Sequence, residues 1–401
     1  MLVVVAALSQ FHRNSIGVIA PELLRDLSMS PSLLGTAGSM FFVATAISQI
    51  PIGMLFDRIG PRITVSCFSA LATLGVVAQA IAHTGEQFIF ARFLLGMGCA
   101  ANLMGAVALC AVWYPPGQFS TRLSWMYAFG QVGTFLATAP LAVASSTIGW
   151  RWAFAEMAVV TGGIGVLFWI CVRNSPSDDP LPSGSRMSFH DTLSGLAQIC
   201  RTPGLMPVLA INAFATASVA TVLGLWAGPY LLDVHGLDRM ARGNVLLSMG
   251  VAQLLGTLAF GPLDRIFNTR KWIVVWGATA TILTLMCLAF ISRPPLWLAV
   301  GLLVLLCFIT AYGVVIMAHG RSLFPAHLVG RGITLINIAP VFGLAGLPIL
   351  TGAIIQSFPE QGLVRPEMAY RCSFGAIALA LFAGLICYLK ADDLKPGHEP
   401  R

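Results

Sequence analysis

Charge is what this 401-residue chain is short of: Asp, Glu, Lys and Arg together make 10% of it, against about 25% in ordinary soluble proteins. That shortage excludes a soluble globular protein of this length. Lysine is scarcer still, since nearly all of the 23 basic residues are arginine. Those arginines are scattered among short loops and form no run, so the net charge of +7 does not point to nucleic acid. No C-x-x-C pair occurs among the nine cysteines, which lie mostly in apolar runs where cysteine behaves as a small hydrophobe. Neither a disulfide framework nor a metal site is expected. Also missing are G-x-S-x-G, H-E-x-x-H and a Walker loop, so no enzyme and no cofactor is expected, and no nucleotide domain is present to drive an ATP-fuelled pump. The alternation of apolar and polar residues that marks a transmembrane barrel is absent as well.

What is present is hydrophobicity, at 57% of residues, arranged in uncharged runs such as Leu296–Ile309. Runs of roughly 20 apolar residues match a helix crossing about 30 Å of hydrocarbon. Apolar length and loop composition predict helices at 2–24, 32–56, 63–83, 86–113, 123–147, 153–172, 205–231, 243–263, 272–291, 296–318, 332–357 and 370–390. Met1 to Leu8 lacks a basic flank and a small-residue cleavage site, and so reads as the start of the first span, with room for an N-terminus upstream. The longest polar interruption divides the twelve spans six and six. The expected domains are therefore 1–172, a central loop 173–204 with a short amphipathic helix from Phe189 to Cys200, 205–390, and a tail 391–401.

Lys and Arg are retained on the cytoplasmic side of a membrane. With the N-terminus inside, inner loops and tail would carry Arg58, Arg62, Arg122, Arg173, Arg186, Arg201, Arg265, Arg270, Lys271, Arg321, Arg331, Lys390, Lys395 and Arg401. Outer loops would carry only Arg25, Arg151, Arg239, Arg242, Arg293, Arg365 and Arg371. Both termini are thus expected inside, in an inner (cytoplasmic) membrane.

Landmarks recur at half the chain length. Pro21 and Pro229, Gly53 and Gly261, and Pro140 and Pro348 are each 208 residues apart, and Asp57-Arg58 returns as Asp264-Arg265. The exit Trp113-Tyr114-Pro115 matches Leu323-Phe324-Pro325. A duplicated six-helix unit follows, the plan of transporters with a midplane cavity.

The loop Gly53-Met54-Leu55-Phe56-Asp57-Arg58-Ile59-Gly60-Pro61-Arg62 resembles the G-x-x-x-D-R-x-G-R-R signature of the major facilitator superfamily, with Pro61 in place of a basic residue. Arg92 followed by Gly96, Gly98, Ala100 and Ala101 is similar to that superfamily's R-x-x-x-G-x-G-x-A pattern, although Leu95 stands where glutamine is often found. The resemblance implies an all-α polytopic membrane protein, twelve helices in two six-helix pseudo-repeats, working by alternating access. It also implies a conformational latch from Gly53, Asp57, Arg58 and Arg62, with a lesser copy at Asp264 and Arg265. In it Asp57 faces the N-terminus of the eleventh span and Gly53 permits close helix contact. Gly224 to Tyr230 and Gly149-Trp150-Arg151-Trp152 resemble the anion and organic-acid symporter branches.

Arg13 lies about 11 residues into the first span, roughly 16 Å from its start at 1.5 Å per residue, with Glu22 the next acid. An intramembrane arginine without a counter-charge is costly unless it faces water. Arg13 is accordingly expected to face the cavity and hold an anionic substrate, a structural arginine being the alternative. Arg92 is open between substrate or coupling work and a structural role bonded to backbone carbonyls. His12 is a candidate proton relay or a polar wall residue, and Glu156, near the outer end of the sixth span, is the other candidate relay. Asn14, Asn102, Tyr127, Gln131, Asn212, Trp226, Tyr230, Tyr312 and Asn337 complete the expected substrate wall, with Tyr127 and Gln131, and Trp226 and Tyr230, each sharing a helix face.

The function expected is secondary transport of a small anionic solute, an organic acid, with a proton or sodium ion as candidate co-ion, by a monomer in the bilayer. One alternative is multidrug or metabolite/proton antiport, disfavoured because the fifth span lacks the glycine series G-x-x-x-G-P-x-x-G-G and the cavity lacks a midplane carboxylate. The other is a transporter-shaped receptor or scaffold that carries nothing.

Overall fold

In the computed structural model, residues 1–114, 128–174, 204–324, 329–359 and 365–393 are described, with single positions at 118, 122, 125, 126 and 202. The expected helix from Phe189 to Cys200, most of the central loop, and the tail beyond Asp393 lie outside the described residues. All regular structure among the described residues is helical. Span 1 is a pair of helices, Leu2–Asn14 and Ile16–Asp26, bent by 41°. Spans 2 to 6 are Pro31–Phe56, Arg58–Ala80, Gly85–Cys110, Ala128–Thr147 and Trp150–Cys171. Spans 7 to 12 are Leu205–Asp233, Arg239–Ile266, Lys271–Phe290, Leu296–Arg321, Leu335–Gln356 and Glu367–Tyr388. The twelve spans expected from apolar length are thus present.

Several spans are interrupted, which apolar length alone does not reveal. Span 1 breaks at Ser15, six residues before Pro21. Thr138, just ahead of Pro140, leaves helical geometry and divides span 5 into Val132–Leu136 and Ala139–Thr147. In span 7 a wide π-turn, Val222–Trp226, precedes Pro229, and span 10 tightens into a 3₁₀ turn at Thr310–Tyr312. Proline has no N–H to give the preceding turn, and a wider turn is one way to absorb the freed carbonyl.

The helix kinks near the start of span 3 at Gly60, whose φ of 82° lies in the region only glycine enters at no steric cost. A side chain there would also strike Asn174, whose Oδ1 accepts from the Arg62 amide at 2.8 Å. The second glycine of the Gly53 to Arg62 loop is therefore required by the backbone.

The chain divides into two compact units: Met1–Arg186 with Asp238–Asn244, and Met187–Leu237 with Val245–Arg401. In unit 1 the backbones of spans 2, 3 and 4 close on one another at small residues. A side chain at Gly96 would run into the Phe41 carbonyl, and one at Gly98 into the Ala72 backbone. Close approach at such positions is how helices associate in lipid, where burial of apolar surface gives no drive. The core of unit 2 gathers Val208, Ile211, Val274, Tyr312, Ile316, Leu381 and Leu385 from spans 7, 9, 10 and 12. Tyr312 lies flat where Gly277 has no side chain.

Asp393 ties the end of unit 2 together. It accepts from Thr269 Oγ1 at 2.7 Å and from the amides of Arg270 and Lys271, both at 3.1 Å, capping span 9. Burial pushes this carboxyl upward, but those hydrogen bonds outweigh it and leave the carboxyl below its ordinary range. Its stabilisation is therefore present above the ordinary carboxylate range and lost as pH falls through the lowered folded value. Thermal unfolding measured across an acid series should show a shallower acid limb for Asp393→Asn than for the wild type; parallel curves would remove this role.

Candidate functional site

The site builds from the middle of span 1. Gln10 and Asn14 are four residues apart and share a face. Gln10 Nε2 donates to Gln131 Oε1 at 2.8 Å, and Asn14 Nδ2 to Thr134 Oγ1 at 3.2 Å and to the Gln10 carbonyl at 2.9 Å. Gly133, between those two span 5 residues, has no side chain because the Ala7 backbone occupies its place. Spans 1 and 5 are thereby held in close, polar contact.

Arg13 stands on the neighbouring face. Its guanidinium lies 5.1 Å from the Phe42 ring centroid, half-buried, and no hydrogen bond or ion pair joins it to any described residue. The nearest acid in sequence, Glu22, is engaged elsewhere. Glu22 Oε1 accepts from Arg239 Nε and from Arg242 Nη2, both at 2.8 Å, with its side chain 7% exposed. Arg239 also donates to the Ser145 carbonyl. The structure thus leaves Arg13 a cation without a counter-charge among the described residues.

His12 turns the other way. Its Nε2 is 3.0 Å from Thr161 Oγ1 of span 6, and the ring is fully buried. The His12 carbonyl, at the break in span 1, accepts from Arg92 Nη1 at 2.8 Å and from Ser15 Oγ at 3.1 Å. Arg92 is 1% exposed, with Nε toward the Ala37 carbonyl at 3.4 Å and its guanidinium 4.8 Å from the Phe41 ring centroid. These contacts with backbone carbonyls join the bend of span 1 to spans 2 and 4. Glu156 is exposed, on the wall of an apolar cavity of about 310 Å³ lined also by Phe11, Leu136, Pro140, Met157 and Ile164. No bond connects it to His12, so the two candidate relay residues are not brought together.

Asn102 is 1% exposed, and neither its Oδ1 nor its Nδ2 has a partner among the described residues. A buried amide left open in this way is rare in proteins and marks a place for water or ligand. Tyr127 lies outside the described residues.

In unit 2 the expected wall residues are mostly taken up in helix packing. Asn212 Nδ2 donates to the Ile336 carbonyl at 2.8 Å, and Trp226 Nε1 to Thr351 Oγ1 at 2.8 Å. Tyr230 packs edge-on against Tyr370 and Phe374. Trp226 and Tyr230 therefore meet span 11 and span 12 respectively. Tyr312 is fully buried, and only Asn337 of this group is exposed.

The latch residues are placed as follows. A side chain at Gly53 would meet nothing within 4 Å among the described residues, and the side chains of residues 329–334, just ahead of span 11, lie outside them. The Asp57 side chain lies outside the described residues, and Arg58 is exposed. Arg62 Nε donates to the Trp169 carbonyl at 2.7 Å. Asp264 is buried, 3.5 Å from Arg270 Nε, and Arg265 is exposed.

Sequence reading missed Gln10, Thr134, Thr161 and Phe42, as well as the Glu22 cluster. Gln10 had a signal, since it stands one helical turn before Asn14 in an otherwise apolar run. The others had none, because contacts between separate helices leave no local pattern.

Among proteins of known kind, one of Agrobacterium vitis, named provisionally for tartrate transport, is 24% identical over 330 residues, 71% of each chain. The Gentisate transporter of Corynebacterium glutamicum is 23% identical over 327 residues, 79% of this chain and 71% of that one. The crystal structure of a bacterial homologue of the human lysosomal transporter Spinster aligns with a TM-score of 0.79 at 19% identity, over 96% of this chain and 94% of that one, a likeness of fold. The family model of the Major Facilitator Superfamily matches residues 2–338, so the chain, with its twelve spans and its Gly53 to Arg62 loop, belongs to that superfamily.

Proposed function

We propose that this chain is a secondary transporter of small organic anions, with Arg13 as the principal anchor for a carboxylate. The observation that carries the reading is an arginine near the middle of a membrane span with no counter-charge among the described residues. A substrate carboxylate supplies what Arg13 lacks, through the bidentate bonds a planar guanidinium makes. Asn14, Gln131 and the unpartnered Asn102 are the polar groups of unit 1 best suited to the substrate's hydroxyls. Tartrate and gentisate, after which two relatives are named, are both hydroxylated carboxylates. Arg92 supports the site from behind by holding the bend on which Arg13 sits.

The arginine bias of the loops favours both termini on the cytoplasmic side of the inner membrane. With no carboxylate paired to Arg13, exchange of anions, or symport in which a proton or sodium ion compensates the substrate's charge, is the expected mode of energisation.

Counterflow of labelled hydroxy acids and aromatic acids in proteoliposomes tests the reading: saturable exchange of at least one is expected, and exchange of none would refute it. The latch is tested in the same vesicles. Asp57→Asn should slow exchange at least about tenfold while binding changes little, because a latch biases a conformational equilibrium and does not touch the ligand. Equal losses in binding and exchange would place Asp57 elsewhere in the mechanism.

A further inference from the structure

The second unit carries a cationic cavity that does not include Arg13. It encloses about 530 Å³ between the end of span 8, at Gly261 and Pro262, and the end of span 10, at Arg321. Asp264, Arg265, Arg270 and Arg321 line it, three positive charges against one negative. Arg270 is 9% exposed; its Nε reaches Asp264 Oδ2 at 3.5 Å, while its Nη1 is buried without a partner. The backbone that bears it is fastened by Asp393, which accepts from the Arg270 amide. Arg265 and Arg321 are exposed and bond to no described residue.

We propose that this cavity is a binding site for a phosphoryl anion. One carboxylate cannot satisfy three guanidinium groups. A tetrahedral phosphoryl group directs its oxygens out of any one plane, two of them unesterified in a lipid phosphodiester and more in free phosphate, whereas a planar carboxylate offers two in one plane. The cavity opens at span ends, the depth at which the phosphates of membrane lipids lie, so the group can come from an anionic headgroup or from free phosphate. The site is independent of Arg13 and of the proposed substrate.

Thermal unfolding of the purified full-length chain, titrated with inorganic phosphate against chloride at matched ionic strength, tests free phosphate. A parallel titration with short-chain phosphatidylglycerol against phosphatidylcholine tests the headgroup. Stabilisation by at least one phosphorylated ligand is expected, with apparent affinity falling at least about tenfold in Arg265→Gln/Arg321→Gln, the loss of about 1.4 kcal/mol. A response to phosphatidylglycerol alone identifies the lipid as the source, and a response to both a site for the phosphoryl group whichever molecule bears it. Arg13→Ala should retain the response, which separates this site from the transport site. Arg270→Gln should abolish it; should that variant fail to fold, the double variant at exposed positions still decides. No response to either ligand, or equal responses in the wild type and the double variant, would overturn the proposal.

Discussion

Arg13→Ala should abolish binding of the transported anion while leaving expression unchanged or improved. An arginine at the centre of a span costs at least about 2.5 to 3.5 kcal/mol on insertion scales, so removing one that bonds to no described residue relieves the fold. A charge-assisted bond to a carboxylate contributes about 1.5 to 3 kcal/mol, which is what the ligand loses. Arg13→Lys keeps the charge but not the planar fork, and affinity should fall about tenfold or more. Isothermal titration of the purified variants with the carboxylate that exchanges best would measure both effects. Normal binding by Arg13→Ala, or failure of the variant to fold, would make Arg13 structural and pass the anchor to another residue.

Glu22→Gln should produce the largest loss of stability of any single substitution considered. Glu22 is the only carboxylate bonded to Arg242 among the described residues, and the two side chains are 7% and 3% exposed. Breaking a buried pair by removing one partner costs about 3 to 5 kcal/mol, because the remaining charge is left buried and alone. Arg242 is already poorly served, since its Nε and Nη1 have no partner among the described residues even with Glu22 in place. Scanning fluorimetry in detergent should therefore show a drop of many degrees for Glu22→Gln. Much of it should return in Glu22→Gln/Arg242→Met, where the deeply buried charge is gone and only the more exposed Arg239 has lost its acid. Wild-type unfolding in Glu22→Gln would mean that water reaches Arg242 and that the ion pair contributes little.

The positions of the spans were legible because a membrane leaves one answer for a long apolar run, a helix with all of its backbone bonds inside it. The isolation of Arg13 was legible for a related reason: acids are so few that none stands near it in sequence. The interruptions were less so. Ser15 has helical dihedrals itself, and the break beside it is held by Arg92, 77 residues away, through the His12 carbonyl. Arg92 likewise could not be assigned from sequence, because its acceptors are main-chain oxygens that every residue carries. The signature loop also does not show which of its glycines the backbone requires: Gly60 is the one whose φ demands glycine. The packing partners of the span 7 aromatics were illegible for a different reason. A period of 3.6 shows which side chains share a face but not which neighbouring helix that face will meet.

The bend in span 1 makes one physical demand on the ligand. Arg13 is two residues from the joint, and His12, the residue before it, carries the carbonyl that Arg92 grips. The side chain proposed to receive the anion is thus mounted on an elbow whose brace is a single guanidinium bonded to main-chain oxygen. Any difference in how well the anion fits at two angles of that elbow must be matched by an equal bias of the elbow toward the better angle when the anion is bound. Loosening the brace without touching the ligand, as in Arg92→Lys, would then change affinity and bending together, the change in affinity being no larger than the difference in fit at the two angles.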